Sequence, residues 1–133
     1  DGKGRYYPGV RAYGDIQTMV EDPTDPNKFL IFFQGGELWE GRTDGSSFKK
    51  LGSASNSKWF NVSILRGNPK DPNILYLTWG PEMYRTADRG KTWTKVFSLN
   101  EGEIEAMDVS WDGKIVYIDT GKITPWSEPN FAN

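Results

Sequence analysis

Short apolar runs separated by turn-forming residues recur along this chain. Residues 28–34, 74–79 and 115–119 are rich in Phe, Ile, Leu, Tyr and Val, and each run has the length of a strand. Pro, Asp, Asn and Gly lie between the runs, as expected for strands joined by tight turns. No long segment shows the 3.6-residue apolar period of an amphipathic helix. The pattern predicts an all-β protein.

The apolar runs belong to a repeat of about 45 residues. Residues 22–33 resemble residues 68–79, which lie 46 positions later, and residues 37–51 resemble residues 82–96, 45 positions later. A third copy begins at 104–118 and then fades. Repeats of this length predict β-propeller blades of four antiparallel strands, and the chain holds about two and a half of them.

Each complete copy is expected to hold four strands, and the partial copy holds two. The predicted first strands are 15–21, 61–67 and 103–110, the second 28–34, 74–79 and 115–119, the third 37–42 and 82–86, and the fourth 47–51 and 92–97. The predicted units are a loop or strand of a preceding blade at 1–13, a first blade at 14–56, a second at 57–100 and a partial third at 101–133.

Composition narrows the chemistry that the chain can perform. Its 133 residues fit one ordinary domain, and it contains no His and no Cys. Ser-His triads, imidazole ligands and thiolate ligands are therefore excluded, and we predict no metal and no cofactor. A formal charge of −2 provides no basic field for nucleic acid. No apolar run approaches the roughly 18 residues of a membrane span, so no membrane insertion is predicted.

The stretch 85–93, RTADRGKTW, carries the most specific motif. An aspartate there can accept hydrogen bonds from turn amides, and a glycine permits the positive φ that closes a turn. The motif resembles the Asp-box, or bacterial neuraminidase repeat, through Thr86, Asp88, Gly90, Thr92 and Trp93. The first copy is degenerate, with Gly41, Thr43, Gly45, Ser47 and Phe48 in the corresponding places.

With this motif, the chain from about residue 14 to 120 looks like an Asp-box β-propeller. That superfamily includes sialidases, xyloglucanases, the sortilin luminal domain and photosystem assembly propellers. The resemblance implies that the Asp-box is a structural turn, so Asp88 is expected to be structural and not catalytic. Since closed propellers have four to eight blades, it also implies that further blades complete the ring, from the same parent protein or from other chains.

Three polar residues precede equivalent positions of the predicted first strands: Asp15, Asn61 and Glu103. Because propeller ligands usually lie near the axis, these residues could share a central cleft. A glycosidase needs two carboxylates, for which Asp15 and Glu103 are the candidates, with Asn61 as a hydrogen-bond partner. Ordinary solvation of strand ends is the alternative interpretation.

Tryptophans supply the other candidate ligand contacts, since aromatic faces bind sugar rings. Trp59, Trp79 and Trp126 lie near predicted strand ends and are candidates for ligand binding. Trp39 and Trp93 fit packing within a blade, and packing is the alternative for every tryptophan.

Two function classes follow from the resemblance. The first is a binding or assembly module for a protein or glycan partner, since the chain shows no complete catalytic signature. The alternative is a fragment of a glycoside hydrolase, xyloglucanase-like or sialidase-like, although no Arg-Ile-Pro motif is present. The resemblance implies an extracytoplasmic location, as is usual for this superfamily, and a first residue other than Met favours the same location. The chain is thus expected to be secreted, periplasmic or at the cell surface.

Overall fold

Three antiparallel sheets make up the part of the chain that the structure describes. The computed structural model describes residues 16–53 and 62–131, and these residues contain eleven strands and no helix. The all-β prediction is therefore confirmed. None of the described residues forms a helix long and apolar enough to cross a membrane.

The first sheet is a meander in which each strand pairs with the next. Along its second strand, side chains alternate between the two faces, so Leu30 and Phe32 point one way and Ile31 and Phe33 the other. All four side chains are buried, which explains the continuous apolar run. The strands are β1 (Ile16–Glu21), β2 (Lys28–Phe33), β3 (Glu37–Arg42) and β4 (Phe48–Ser53).

The second sheet repeats this meander. Its first turn is shorter than predicted: the predicted strands leave residues 68–73 for the turn, whereas only residues 69–70 separate the first two strands. The turn closes early because the Asn68 side chain accepts a hydrogen bond from the Lys70 amide at 2.9 Å. The strands are β5 (Val62–Asn68), β6 (Asp71–Trp79), β7 (Glu82–Thr86) and β8 (Thr94–Ser98).

The third sheet has three strands in the described residues, ordered β11-β10-β9. Its last strand was not among the strands predicted from the repeat. The turn before that strand places Gly121 at a φ of 96°, and the Gly121 amide donates to the Asp119 carboxylate at 2.9 Å. The strands are β9 (Met107–Val109), β10 (Ile115–Asp119) and β11 (Ile123–Ser127).

The second sheet lies between the other two and buries both of its faces. Leu75 and Leu77 pack against the first sheet, whereas Ile74 and Tyr76 pack against the third. The first core cluster contains Leu30, Phe32, Leu38, Val62, Leu65, Leu75 and Leu77. The second contains Ile74, Tyr76, Met83, Ile104, Met107, Val116 and Ile118.

The first strands of the three sheets are neighbours in succession. Strand β1 contacts β5, and β5 contacts β9. The three described sheets do not close into a ring. Turns at both ends of the first strands are thus brought close together, and two clefts lie there.

Candidate functional site

Two of the predicted site residues, Glu103 and Trp79, line one cleft. The cleft has a volume of about 380 Å³ and is also lined by Ser63, Gly80 and Pro81. The chain is held there by the Ile104 amide, which donates to the Gly80 carbonyl at 3.0 Å. Glu103 is exposed and Trp79 is half-buried, so a carboxylate and an indole face the same cleft at the start of the first strands.

None of the other predicted ligand-binding or catalytic residues is seen at this cleft in the described part of the chain. Asp15, Trp59 and Asn61 lie outside the described residues, so the pairing of Asp15 with Glu103 stays a prediction. Trp126 lies in β11, where its half-buried ring meets Tyr76 edge-on with centroids 6.1 Å apart. That position belongs to the core between the second and third sheets.

The β7–β8 turn is closed by the side chains of Thr86, Asp88 and Thr92. The Thr86 hydroxyl donates to Asp88 Oδ1 at 2.6 Å, and it accepts from the Gly90 amide at 3.0 Å. Asp88 also accepts from the Thr92 amide at 2.9 Å and from the Thr92 hydroxyl at 2.6 Å. Burial would raise the pKa of Asp88, but these hydrogen bonds outweigh it and lower the pKa to about 2. Both oxygens of the Asp88 carboxylate therefore accept hydrogen bonds that stabilise the turn.

This turn also packs directly on the first sheet. A Cβ atom at Gly90 would lie 2.5 Å from Leu38 Cδ2, and one at Gly52 would lie 2.2 Å from the Gly90 carbonyl oxygen. Gly90 has a φ of 91°, so glycine is required both for the turn conformation and for the close approach. The Trp93 ring meets Phe32 edge-on with centroids 6.5 Å apart. The turn is thus part of the contact between two sheets.

Arg89 connects the same turn to two buried acids of the first sheet. Its Nη2 atom lies 2.8 Å from Asp22 Oδ2 and 2.6 Å from Glu40 Oε1, and its Nη1 donates to the Pro72 carbonyl. Burial raises the pKa of Asp22, but hydrogen bonds from Thr24 and Arg89 outweigh burial and lower it. Among the described residues, Arg89 alone has a positive φ without being glycine, at 57°.

A second buried network joins the second and third sheets. Arg85 donates to Glu128 through two nitrogens, at 2.7 and 2.9 Å, and the Tyr76 hydroxyl donates to Glu128 at 2.7 Å. Asn68 then donates to the Tyr76 hydroxyl at 3.0 Å. Burial raises the pKa of Glu128, but the bonds from Arg85 and Tyr76 outweigh it, so the pKa is lowered. Both networks hold sheets together through side chains that are mostly buried.

Sequence reasoning missed a further cleft at the opposite ends of the first strands. It is lined by residues of all three sheets and their turns, and Trp111 stands beside it with 91% of its surface exposed. The signal in the sequence was a tryptophan inside a turn, Ser110-Trp111-Asp112-Gly113, where no strand can bury the ring.

Among residues 16–53 and 62–131, no three acidic side chains come together as a metal site. A comparison with protein-family models finds none that matches the chain, and a comparison with curated proteins finds no match either.

Proposed function

We propose that this chain is a segment of an Asp-box β-propeller and serves as an extracytoplasmic binding and assembly module for a protein or glycan partner. One observation carries the assembly part of this proposal. The outer face of the first sheet repeats, position by position, the face through which the second sheet packs on the first. The extracytoplasmic location is supported by the family resemblance alone.

Apolar positions provide the first half of that correspondence. Phe29, Ile31 and Phe33 lie on the outer face of the first sheet, as the pairing register requires. The residues 46 positions later are Leu75, Leu77 and Trp79, which belong to the face of the second sheet that packs on the first.

A charged trio provides the second half. On the outer face of the first sheet, Glu37 accepts from the Trp39 indole at 3.0 Å and from Lys50 at 3.2 Å. In the second sheet, 45 positions later, Glu82 accepts from the Tyr84 hydroxyl at 2.5 Å and from Lys95 at 3.1 Å. Two faces with the same apolar centre and the same ionic rim are built for the same kind of neighbour.

Ile31 and Phe33 at the centre of the outer face are already buried, so we expect a further four-stranded sheet of this repeat to dock along the β1 side of that face. The apolar surface still open to solvent lies along β1, where Ile16 and Met19 are 51% and 55% exposed on that face. These are the two side chains through which we expect the further sheet to make its apolar contact. The succession of contacts among β1, β5 and β9 also agrees with blades arranged about an axis.

Sedimentation velocity of the isolated chain tests this proposal, because a second copy is the only further sheet available to it. We expect concentration-dependent association that the double substitution Ile16→Lys with Met19→Lys abolishes, since charge on the face opposes docking. Trp111→Lys is the matched control, because it places the same charge at an exposed aromatic on the β9–β10 turn. A wild-type chain that stays monomeric up to about 0.2 mM, well above the Kd of an ordinary specific contact, would overturn the proposal.

The glycoside hydrolase alternative has one specific observation in its favour, the shared cleft of Glu103 and Trp79. It requires a second carboxylate beside Glu103. The release of reducing ends from xyloglucan by the wild-type chain, abolished by Glu103→Gln, would support it. No hydrolysis by the wild type would leave the binding module as the function.

A further inference from the structure

The cleft beside Trp111 combines a cavity with an exposed aromatic ring and charged side chains. Its volume is about 280 Å³. The smallest typical ligand pockets have a volume of about 300 Å³, so the cleft is close to that size. It lies where the turns after the three first strands meet, at the end of the sheets opposite to the Glu103 cleft. The lining residues are Val20, Glu21, Pro23, Arg66, Gly67, Pro69, Asp108, Val109 and Trp111.

The turn that carries Trp111 is firmly closed, so the ring is held out to solvent. The Ser110 hydroxyl donates to Asp112 at 2.8 Å, and Asp112 accepts from the Lys114 amide at 3.0 Å. The Gly113 carbonyl accepts from the buried Asn68 side chain at 2.9 Å, which ties the turn to the neighbouring β5–β6 turn. An indole held in this way keeps its faces open to a ligand in the cleft.

Charged groups with planar ends stand beside the ring. Arg66 Nη1 donates to the Leu65 carbonyl at 2.9 Å, and Arg66 Nε lies 3.9 Å from Asp108 Oδ1. The remaining N–H groups of Arg66 make no hydrogen bond to the described residues, and the Asp108 side chain is 84% exposed. Glu21, at the end of β1, is a second acidic residue that lines the cleft. The cleft thus offers both donors and acceptors around one aromatic face.

We propose that this cleft binds one or two rings of a neutral saccharide. A sugar ring has an apolar face that packs on an indole and hydroxyls that both donate to carboxylates and accept from a guanidinium. The lining carries two acids and one arginine, so it does not favour anionic ligands such as nucleic acid. This inference rests on the proposed binding function and assigns the glycan partner to a particular site.

Calorimetric titration of the chain with cellohexaose, chitohexaose and a xyloglucan heptasaccharide tests the site. We expect at least one of them to bind with a Kd tighter than about 1 mM, and Trp111→Ala to weaken that binding about tenfold or more. Arg66→Lys keeps the charge but loses the planar donors, and it should weaken the same binding several-fold. Ile123→Ala is the control, because Ile123 is 66% exposed in β11 and does not line the cleft.

Thermal unfolding of each variant separates lost binding from lost folding. Because Trp111 is exposed, we expect Trp111→Ala to have the same unfolding temperature as the wild type. The proposal is overturned if none of the three sugars binds, as when the cleft takes a peptide instead. It is also overturned if a sugar binds but Trp111→Ala has no effect. Neither result alters the association measured by sedimentation, so the site can fail while the assembly function stands.

Discussion

A buried ion pair crosses the junction between the first and second sheets, and another crosses the junction between the second and third sheets. In both pairs one partner occupies the same position of a third strand, but the charge at that position has the opposite sign. Glu40 and Arg85 lie 45 positions apart on the third strands of their sheets. At the first junction, Glu40 accepts from Arg89 of the following unit at 2.6 Å. At the second junction, Arg85 donates to Glu128 of the following unit at 2.7 Å.

The third-strand position therefore carries a buried ion pair at both junctions, although the sign of its charge differs. A buried charge needs a partner of opposite sign, and the sign itself is free as long as both partners change together. The environments also differ. Arg89 faces two acids, Asp22 and Glu40, whereas Glu128 faces one arginine and the neutral hydroxyl of Tyr76. Because Arg89 pairs with both acids and Lys28 reaches only Glu40, at 3.5 Å, removal of Arg89 should destabilise the fold more than neutralisation of Glu128.

The largest effect is expected from Arg89→Met. The substitution leaves the buried Asp22 without its cation and leaves Glu40 with only Lys28, whose Nζ lies 3.5 Å away, so it should lower the free energy of unfolding by about 3–5 kcal/mol. Urea unfolding followed by tryptophan fluorescence measures this change. Lys91→Met on the same turn is the matched control, and at that exposed position we expect a change of about 0.5 kcal/mol or less. Equal effects of the two substitutions would show that the two acids are not held by Arg89.

A smaller loss is expected from Glu128→Gln. Glutamine keeps the shape and one acceptor oxygen, but the charge-assisted bonds from Arg85 are lost, which should lower the free energy of unfolding by about 1–3 kcal/mol. Combining it with Arg85→Met should be less harmful than the sum of the two single effects, because the partners form one network. Glu101→Gln at an exposed position is the control. A loss larger than that of Arg89→Met would reverse the proposed ranking of the junctions.

The smallest effect is expected from mild acid, which protonates only a small fraction of the carboxylates of Asp22 and Glu128 at the two junctions. The pKa values of Asp22 and Glu128 are lowered in the folded state from 3.8 and 4.5, so the folded chain binds fewer protons than the unfolded chain in this range. Their stabilising contribution is complete above about pH 5 and is lost as the pH falls through the folded-state values. The melting temperature should hardly change between pH 6 and 8, since the chain has no His, and should fall below about pH 4.5. Glu128→Gln should show a shallower fall, and an unchanged acid dependence would remove Glu128 as its source.

The comparison also shows which strands sequence reasoning could find. Strand β2 and the 74–79 part of β6 were predictable because each is a continuous apolar run, as a strand buried on both faces requires. The start of β6 at Asp71-Pro72-Asn73 lacked that signal and was predicted as part of a turn. Strand β11, Ile123–Ser127, alternates exposed and half-buried residues and contains Pro125, so it lacked that signal. Its pairing with β10 depends on tertiary packing, because Trp126 lies opposite Val116 and packs against the second core cluster.

Sequence by itself determined the all-β class, the repeat and the residues that form the β7–β8 turn, because these depend on local periodicity and on short-range hydrogen bonds. Only the tertiary structure decided that Arg89 would reach back to Asp22, 67 positions earlier, and that Glu128 would reach Arg85, 43 positions earlier. It also decided that Trp111 would stand beside a cleft formed by three sheets. Such contacts depend on how sheets stack, and no local pattern encodes the partner of a buried charge or the neighbour of an exposed ring.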